Sequence, residues 1–296
     1  MRQETTLVVG CGYLGLRVAK VLLGRGEKVF GTTRSSERAK ALDRAGVEPV
    51  IVDVMDGDSL ARLPSADRAL YCVGYDRSSG VPLRSVYVDG LRKTLGRLHD
   101  RLGRLVYISS TGVYGQDDGA WVDETAPTEP RTESGLACLE AERVVRQYAA
   151  EKGLPSCIVR LSGLYGPGRI LRRDSLLRGE PIVGDADKFL NMIQIDDAAT
   201  VAVAALDQGE PGEVYLGSDD RPTPRREFYG VTAELLGAPL PRFTEPESAT
   251  DPSRDESNKR VSNRKMRDVL GVALRYPDIT QGLAASLAAE ADPSAT

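Results

Sequence analysis

The sequence predicts an α/β protein: a doubly wound parallel sheet of the Rossmann type, with a smaller C-terminal region. Three observations predict it, namely short apolar runs without alternation, helical segments between them, and a glycine-rich turn after the first run. Runs without alternation are typical of strands buried on both faces, and regular strand–helix alternation favours a parallel sheet. We divide the chain into a main domain, 1–163, and a smaller mixed α/β region, 164–296, interleaved in one compact unit.

The predicted elements follow one another without internal repeats. Strands are expected at 7–9, 29–30, 50–52, 69–73, 105–108 and 157–161, and helices at 14–23, 37–45, 83–102 and 136–150. Beyond Gly163 the pattern loosens into glycine- and proline-rich loops, which suits structure that faces a substrate. The acidic, proline-containing segment 244–257 is expected to be a mobile surface loop, and 290–296 a frayed tail.

Composition limits the classes of function. The 296 residues carry a formal charge of −4 with both signs interspersed, so no basic stripe marks a nucleic-acid partner. No apolar run has the roughly 20 residues that cross a bilayer, and we expect a cytoplasmic protein without a membrane partner. The four cysteines lack the spacing of a zinc site and are interpreted as reduced thiols; no metal is expected. His99, the single histidine, is expected at the surface.

A glycine motif opens the first helix. Gly10-Cys11-Gly12-Tyr13-Leu14-Gly15 directly follows the first apolar run. In this context Gly10 permits a tight turn, Gly12 lets a pyrophosphate approach the backbone, and Gly15 lets helix and strand pack closely, with the helix N-terminus facing the negative charge. The motif predicts a dinucleotide site; the alternative is a glycine turn without a ligand.

The residues after the second strand bear on the choice of cofactor. Thr33, Arg34 and Ser35 stand where a fold that prefers NAD usually places a carboxylate. Arg34, with Arg38, suits the 2′-phosphate of NADP, so we expect NADP in preference to NAD; otherwise Arg34 is a solvated residue at a helix start.

Two further strand ends complete the expected cofactor contacts. Asp53, followed by Val54, either accepts a hydrogen bond from the adenine amino group or begins a turn. Val73 ends the fourth predicted strand, and Gly74 follows it.

Several segments together resemble the extended short-chain dehydrogenase/reductase superfamily, of the NAD-dependent epimerase/dehydratase type. The likeness covers nearly the whole chain, and the form of the glycine motif, with 134–142, is similar to an atypical, YeeZ-like branch. Besides the glycine motif, the likeness to the superfamily is based on the segments 106–115, 160–168, 195–197 and 259–263.

The resemblance implies an active site with an altered catalytic pair. Members that do redox chemistry carry a Ser or Thr, and a Tyr and a Lys four residues apart on a helix. Ser110 matches the hydroxyl position, but Ser134 and Cys138 occupy the usual Tyr and Lys positions. Tyr87 stands where relatives often carry an Asn. The resemblance therefore predicts the cofactor better than the reaction.

Four residues are candidates for the missing acid or base. Tyr114 and Tyr165 are expected at strand ends facing the site, and Glu133 adjoins the vacant Tyr position, whereas Tyr107 is expected to be packed within its strand. Cys138 is a less favoured nucleophile because no histidine is available to activate it.

Arginines follow the Gly-Pro-Gly segment in a region where relatives bind a diphosphate. They either bind an anionic small-molecule substrate or form a solvated face. The residues are Arg169, Arg172, Arg173 and Arg178.

Two hypotheses of function follow. In the first, the chain is an NAD(P)-dependent oxidoreductase or epimerase-like enzyme. It acts on a hydroxyl or carbonyl group of a sugar-nucleotide-like substrate, which the C-terminal region binds. In the second, it is an NADP(H)-binding regulatory or sensor protein without redox turnover. The helices at 83–102 and 136–150 correspond to those of a dimer interface in relatives, so the resemblance also implies a homodimer.

Overall fold

A seven-stranded, wholly parallel sheet organises the molecule. The computed structural model describes residues 3–245 and 257–291. The strands of this sheet lie in the order β12-β7-β5-β4-β1-β2-β3, which places the topological switch point between β1 and β4. Their bounds are β1 Thr5–Val9, β2 Lys28–Thr33, β3 Glu48–Ile51, β4 Ala66–Tyr71, β5 Leu102–Ser110, β7 Ser156–Leu161 and β12 Val214–Gly217.

Helices cover both faces of the sheet. One apolar layer lies between the sheet and α1 (Tyr13–Gly24), α2 (Ser36–Arg44) and α6 (Ile195–Gln208). The other lies beneath α3 (Gly90–Leu98) and α4 (Glu133–Lys152). Because both faces are covered, all six residues of β7 are buried, including the polar Ser156 and the charged Arg160.

The C-terminal region builds a third core beside the carboxyl ends of the strands. Within the described residues, three of the four two-stranded sheets and three of the four further helices supply it, with Tyr165, Phe228 and Leu283 among its residues. The strands of Val122 and Val261 belong to a separate cluster, and the helix of Met266 packs against the layer of the main sheet. The pairs are β6 Ala120–Val122 with β15 Lys259–Val261, β8 Gly163–Tyr165 with β11 Met192–Gln194, β9 Ile182–Val183 with β14 Phe243–Thr244, and β10 Phe189–Leu190 with β13 Thr223–Pro224. The helices are α5 Arg173–Leu177, α7 Arg225–Leu236, α8 Arg264–Leu270 and α9 Ile279–Ala291.

The Rossmann-type fold predicted from the sequence is confirmed, with differences in detail. The seventh strand and α6 come from beyond residue 163, so the main sheet is not confined to 1–163. The predicted helix 83–102 is divided: a π-helical turn, Ser85–Asp89, precedes α3, and residue 102 already belongs to β5. Most of the predicted loop 244–257 and of the predicted tail 290–296 lies outside the described residues.

Candidate cofactor site and active site

A cavity of about 780 Å³ opens at the carboxyl ends of β1, β2, β4, β5 and β7. In open parallel sheets ligands bind in this crevice, at the switch point. The cavity is lined by Gly10, Cys11, Gly12, Tyr13, Leu14, Thr32, Thr33, Arg34, Arg38, Val52, Val54, Tyr71, Cys72, Val73, Gly74, Tyr75, Asp76, Tyr87, Tyr107, Ile108, Ser109, Ser110, Cys138, Leu161, Ser162, Gly163, Leu164 and Arg169.

The three motif glycines are required for different reasons. Gly10 has φ +91°, and a Cβ there would lie 2.7 Å from the Cα of Val73. A Cβ on Gly15 would lie 2.6 Å from the Gly10 carbonyl oxygen. On Gly12, by contrast, the nearest atom would be 4.0 Å away. The fold needs the outer two glycines, whereas the absence of a side chain at Gly12 keeps space open beside the N-terminus of α1.

Thr32, which the sequence reasoning missed, fixes the glycine turn. Its hydroxyl accepts a hydrogen bond of 2.8 Å from the Gly10 amide, and its carbonyl accepts one of 2.9 Å from the Cys11 amide. The side chain is buried at the end of β2. The turn is therefore preorganised by the neighbouring strand.

Two arginines lie at the β2 side of the cavity. The Arg34 guanidinium donates a 3.1 Å hydrogen bond to Asp76, and both residues line the cavity. Burial raises the pKa of the Cys11 thiol to about 12, and the positive charge of the nearby Arg38 partly opposes that rise. Asp76 was not predicted, because it lies 42 residues along the chain from Arg34.

Four residues predicted for the site lie outside the cavity wall. Ser35 caps α2 through a hydrogen bond from the Arg38 amide, and Gly15 packs beneath the turn. The carboxylate of Asp53 accepts a hydrogen bond of 2.9 Å from the Met55 amide, so it stabilises a turn while Val52 and Val54 line the cavity. Ser134 contacts the Thr132 hydroxyl in the first turn of α4.

Ser110 and Cys138 are brought together in the cavity wall. Ser110 accepts a 3.0 Å hydrogen bond from the Gly112 amide, which leaves its own hydroxyl hydrogen free to donate. Burial raises the pKa of the Cys138 thiol to about 12. A neutral thiol is a poor nucleophile. Neither the neutral nor the ionised form of Cys138 carries the positive charge that a lysine would supply here.

Of the tyrosines considered as replacement acids, only Tyr107 lines the cavity. Tyr114 is buried and accepts a 2.7 Å hydrogen bond from Arg160, and Tyr165 lies in the C-terminal core. Glu133 is exposed at the start of α4. The expectation that Tyr114 and Tyr165 face the site is wrong, because both side chains turn inward into packed layers.

The cavity wall also carries hydroxyl groups that strand periodicity did not reveal. Tyr71, at the end of β4, pairs in register with Tyr107, and their rings lie 6.0 Å apart. The Tyr71 hydroxyl and that of Ser162 are buried without a hydrogen-bond partner among the described residues. Both residues line the cavity, and the enclosed Tyr71 hydroxyl also lies near Thr94.

Only Arg169 of the four arginines lines the cavity. Its guanidinium carbon lies 5.7 Å from the centre of the Tyr13 ring. Arg173 pairs with Glu290 at 3.6 Å, and Arg178 pairs with Glu180 at 2.6 Å. Of the arginines expected to bind an anionic substrate, Arg169 is therefore the one that lies at the cavity.

Within residues 3–245 and 257–291, no group of three or more His, Cys, Asp or Glu side chains is placed to hold a metal ion. No helix in the same two segments is long and apolar enough to cross a membrane.

Comparisons with known proteins place the chain in a family. The family model described as NAD dependent epimerase/dehydratase matches residues 6–216. Protein YeeZ of Escherichia coli K12 is 28% identical over 277 residues, covering 92% of this chain and 96% of YeeZ. The chain therefore belongs to the NAD-dependent epimerase/dehydratase family, and it resembles YeeZ along almost its full length.

Solved structures share the fold of this chain. A functionally unknown conserved protein from Silicibacter pomeroyi is 31% identical, with a TM-score of 0.78 and coverage of 98% of this chain and 100% of that one. UDP-glucuronic acid 4-epimerase from Bacillus cereus, in complex with UDP-glucuronic acid and NAD, has a TM-score of 0.81 at 20% identity, covering 98% and 99% of the two chains. At that identity the second likeness concerns the fold alone.

Proposed function

We propose that the chain binds a nicotinamide dinucleotide along the cavity, with NADP(H) preferred over NAD(H). The observation that carries the proposal is the open space at Gly12, where a Cβ would meet nothing closer than 4.0 Å although the flanking glycines are tightly packed. The N-terminus of α1 has no side-chain cap, so its first amides suit a pyrophosphate. Arg34 and Arg38, at the β2 side, suit a 2′-phosphate.

The chain acts, in this proposal, as an oxidoreductase or epimerase-like enzyme on a hydroxyl or carbonyl group. The cofactor supplies a site that gives or takes hydride. Ser110 donates a hydrogen bond to the substrate oxygen, because its other contact is already made with the Gly112 amide. The apolar wall of Leu161 and Leu164 excludes water from this end of the cavity.

The proposed substrate is an anionic small molecule of the sugar-nucleotide type. Arg169 would bind its phosphate or carboxylate, since the guanidinium lies at the cavity wall against the Tyr13 ring. The Bacillus cereus relative, which was solved with UDP-glucuronic acid, makes this class the first to test.

Calorimetric titration with NADPH, NADH, NADP and NAD tests the cofactor proposal. Gly12→Val should leave the fold intact, because its side chain meets free space, yet abolish binding by filling the pyrophosphate site. Arg34→Ala should remove most of the preference for NADP(H) while NAD(H) binding persists. Arg178→Ala, outside the cavity wall, is the matched control. Undiminished NADPH binding by Gly12→Val would exclude the proposed pose.

A second candidate function is cofactor binding without redox turnover. It is favoured by Ser134 and Cys138, which supply neither an activated phenol nor a fixed positive charge. This candidate requires tight dinucleotide binding and no hydride exchange with any sugar nucleotide. Incubation with UDP-glucose or UDP-glucuronic acid separates the two functions, with nicotinamide absorbance reporting net oxidation or reduction and chromatography of the sugar nucleotide reporting epimerisation.

A further inference from the structure

We propose that Tyr87 is the acid/base residue of this site and that Arg169 supplies the positive charge beside it. Together they would replace the Tyr and Lys whose positions hold Ser134 and Cys138. The inference rests on the proposed function and assigns its missing proton donor.

Tyr87 reaches the active-site end of the cavity from a distorted helical turn. It lies within the π-helical turn Ser85–Asp89, and such turns are frequent at functional sites because they re-aim a side chain. Its ring packs against the cluster that contains Cys138, and it meets the Tyr75 ring edge-on at 6.3 Å between centroids. Tyr87 is only partly buried, and it lines the cavity.

Arg169 lines the same cavity as Tyr87. It follows the Gly-Pro-Gly segment, and its guanidinium rests on the Tyr13 ring. No ion pair joins it to a carboxylate within the described part of the chain. Its charge therefore remains available to the groups in the cavity, and it acts on the hydroxyls of both Tyr13 and Tyr87.

The charges facing Tyr87 come from four elements. Burial, and then the Cys138 thiol of α4, raise the pKa of Tyr87 above its ordinary value. The Tyr75 amide and Arg169 act in the opposite direction, and the Tyr75 hydroxyl raises the pKa slightly. Tyr107 of β5 is the remaining titratable neighbour. Arg169 is thus the cation that favours the tyrosinate form.

The other phenols of the cavity are less suited to this role. The Tyr13 hydroxyl donates to the Pro167 carbonyl at 3.1 Å, and that of Tyr75 donates to the Val81 carbonyl at 3.0 Å. Tyr71 and Tyr107 are enclosed, and burial raises the pKa of each well above the ordinary tyrosine value with no cation to oppose it.

The proton balance of the proposed step is complete. In the reduction of a carbonyl, a bound reduced cofactor would supply hydride to the carbon, and the Tyr87 hydroxyl would give its proton to the oxygen. The tyrosinate left behind is stabilised by Arg169 and regains a proton from water. Oxidation of a hydroxyl runs through the same transfers in reverse.

Ultraviolet titration of tyrosinate tests the pair without substrate or cofactor. The difference between wild type and Tyr87→Phe isolates the Tyr87 ionisation. Arg169→Gln should move that midpoint upward, whereas Arg169→Lys should leave it near the wild-type value. Arg178→Gln is the control. An unchanged midpoint in Arg169→Gln would overturn the pairing.

Hydride transfer tests the acid/base role. Tyr87→Phe should bind NADPH within about twofold of wild type by calorimetry, yet reduce turnover of a sugar-nucleotide substrate by about a hundredfold or more. Binding with undiminished turnover would overturn the role of Tyr87. If no variant binds a dinucleotide, the proposed function fails, and the titration still decides whether Tyr87 and Arg169 interact.

Discussion

At the scale of single residues, the ion pair between Arg34 and Asp76 decides what the β2 side of the cavity offers a ligand. Asp76 is held in place by hydrogen bonds from the Ser78 amide at 3.0 Å and the Ser78 hydroxyl at 2.6 Å. The same Ser78 contacts, followed by Arg34, lower the pKa of Asp76. A fixed carboxylate therefore competes with any phosphate for the Arg34 guanidinium.

Asp76→Asn should bind dinucleotides more tightly, and NADP(H) most of all. The substitution removes a negative charge beside an anionic ligand and frees Arg34 for a 2′-phosphate. We expect the ratio of NADPH to NADH affinity to rise by several-fold, less than the roughly tenfold that 1.4 kcal/mol represents. The pair is solvent-exposed, so stability should change by less than about 1 kcal/mol.

Calorimetry on both cofactors measures this ratio. Asp100→Asn, which removes the same charge at an exposed position outside the cavity wall, corrects for net charge. An unaltered ratio in Asp76→Asn would show that Arg34 does not contact the 2′-phosphate.

At the scale of elements, a buried ion pair joins α4 to β7 directly behind the active site. Arg160 donates to both Glu142 carboxylate oxygens, at 2.9 and 2.7 Å, and to the Tyr114 hydroxyl. Ser109, which lines the cavity, donates to Glu142 at 2.7 Å. Glu142 lies one turn beyond Cys138 on α4, so this network fixes the helix against the strands that carry the site.

Glu142→Gln should destabilise the fold by about 3–5 kcal/mol, because it leaves a buried arginine without a counter-charge. Glu140→Gln on the same helix is the matched control. Its carboxylate pairs with Arg84 at the surface, and its loss should cost less than about 1 kcal/mol. Urea unfolding of the three proteins measures the difference. Equal free energies of unfolding for Glu142→Gln and Glu140→Gln would mean that solvent reaches the Arg160 guanidinium.

Sequence reasoning predicted the elements around the cofactor site because each has a local signature. The glycine motif, the strands of the first half, and α1, α2 and α4 were all found within a few residues of their observed bounds. The helix α6 was missed because Ala and Val dominate it and its polar face is narrow, with only Asp196, Thr200 and Asp207 exposed before its last residue.

The catalytic end of the site depends on tertiary contacts that no local pattern encodes. Arg34 meets Asp76 across 42 residues, and Arg169 reaches the ring of Tyr13 from the far half of the chain. Ser110 was identified through resemblance. The turn that aims Tyr87 was hidden inside a segment that predicts an ordinary helix.

At the scale of the whole molecule, the junction between the main sheet and the C-terminal core contains a buried acid. Asp219 directly follows Ser218 at the end of β12, and its Oδ2 atom has no hydrogen-bond partner among the described residues. Its side chain is near the equally unpartnered Tyr165 hydroxyl. Burial raises the pKa of Asp219 to about 8. The two regions of the fold therefore meet at a carboxyl that is neutral below this pH.

This acid should make the stability of the molecule fall as pH rises. Between the ordinary carboxyl pKa of 3.8 and about 8, the folded state holds a proton that the unfolded state has lost. The free energy of unfolding should therefore decrease through this window, by at most about 1.4 kcal/mol per pH unit from this group. Burial lowers the pKa of Lys259 to about 8. This lysine makes the free energy of unfolding rise with pH, but only above about pH 8.

Asp219→Asn removes the ionisable group while keeping its size, so the variant should lose most of this pH dependence and gain on wild type as pH rises from 5 toward about 8. Urea unfolding at several pH values gives the difference between the two proteins, in which the other titrating groups cancel. Asp174→Asn, at an exposed carboxyl, should leave the wild-type slope unchanged. Parallel curves for wild type and Asp219→Asn would mean that Asp219 ionises freely in the fold, and that the junction admits water.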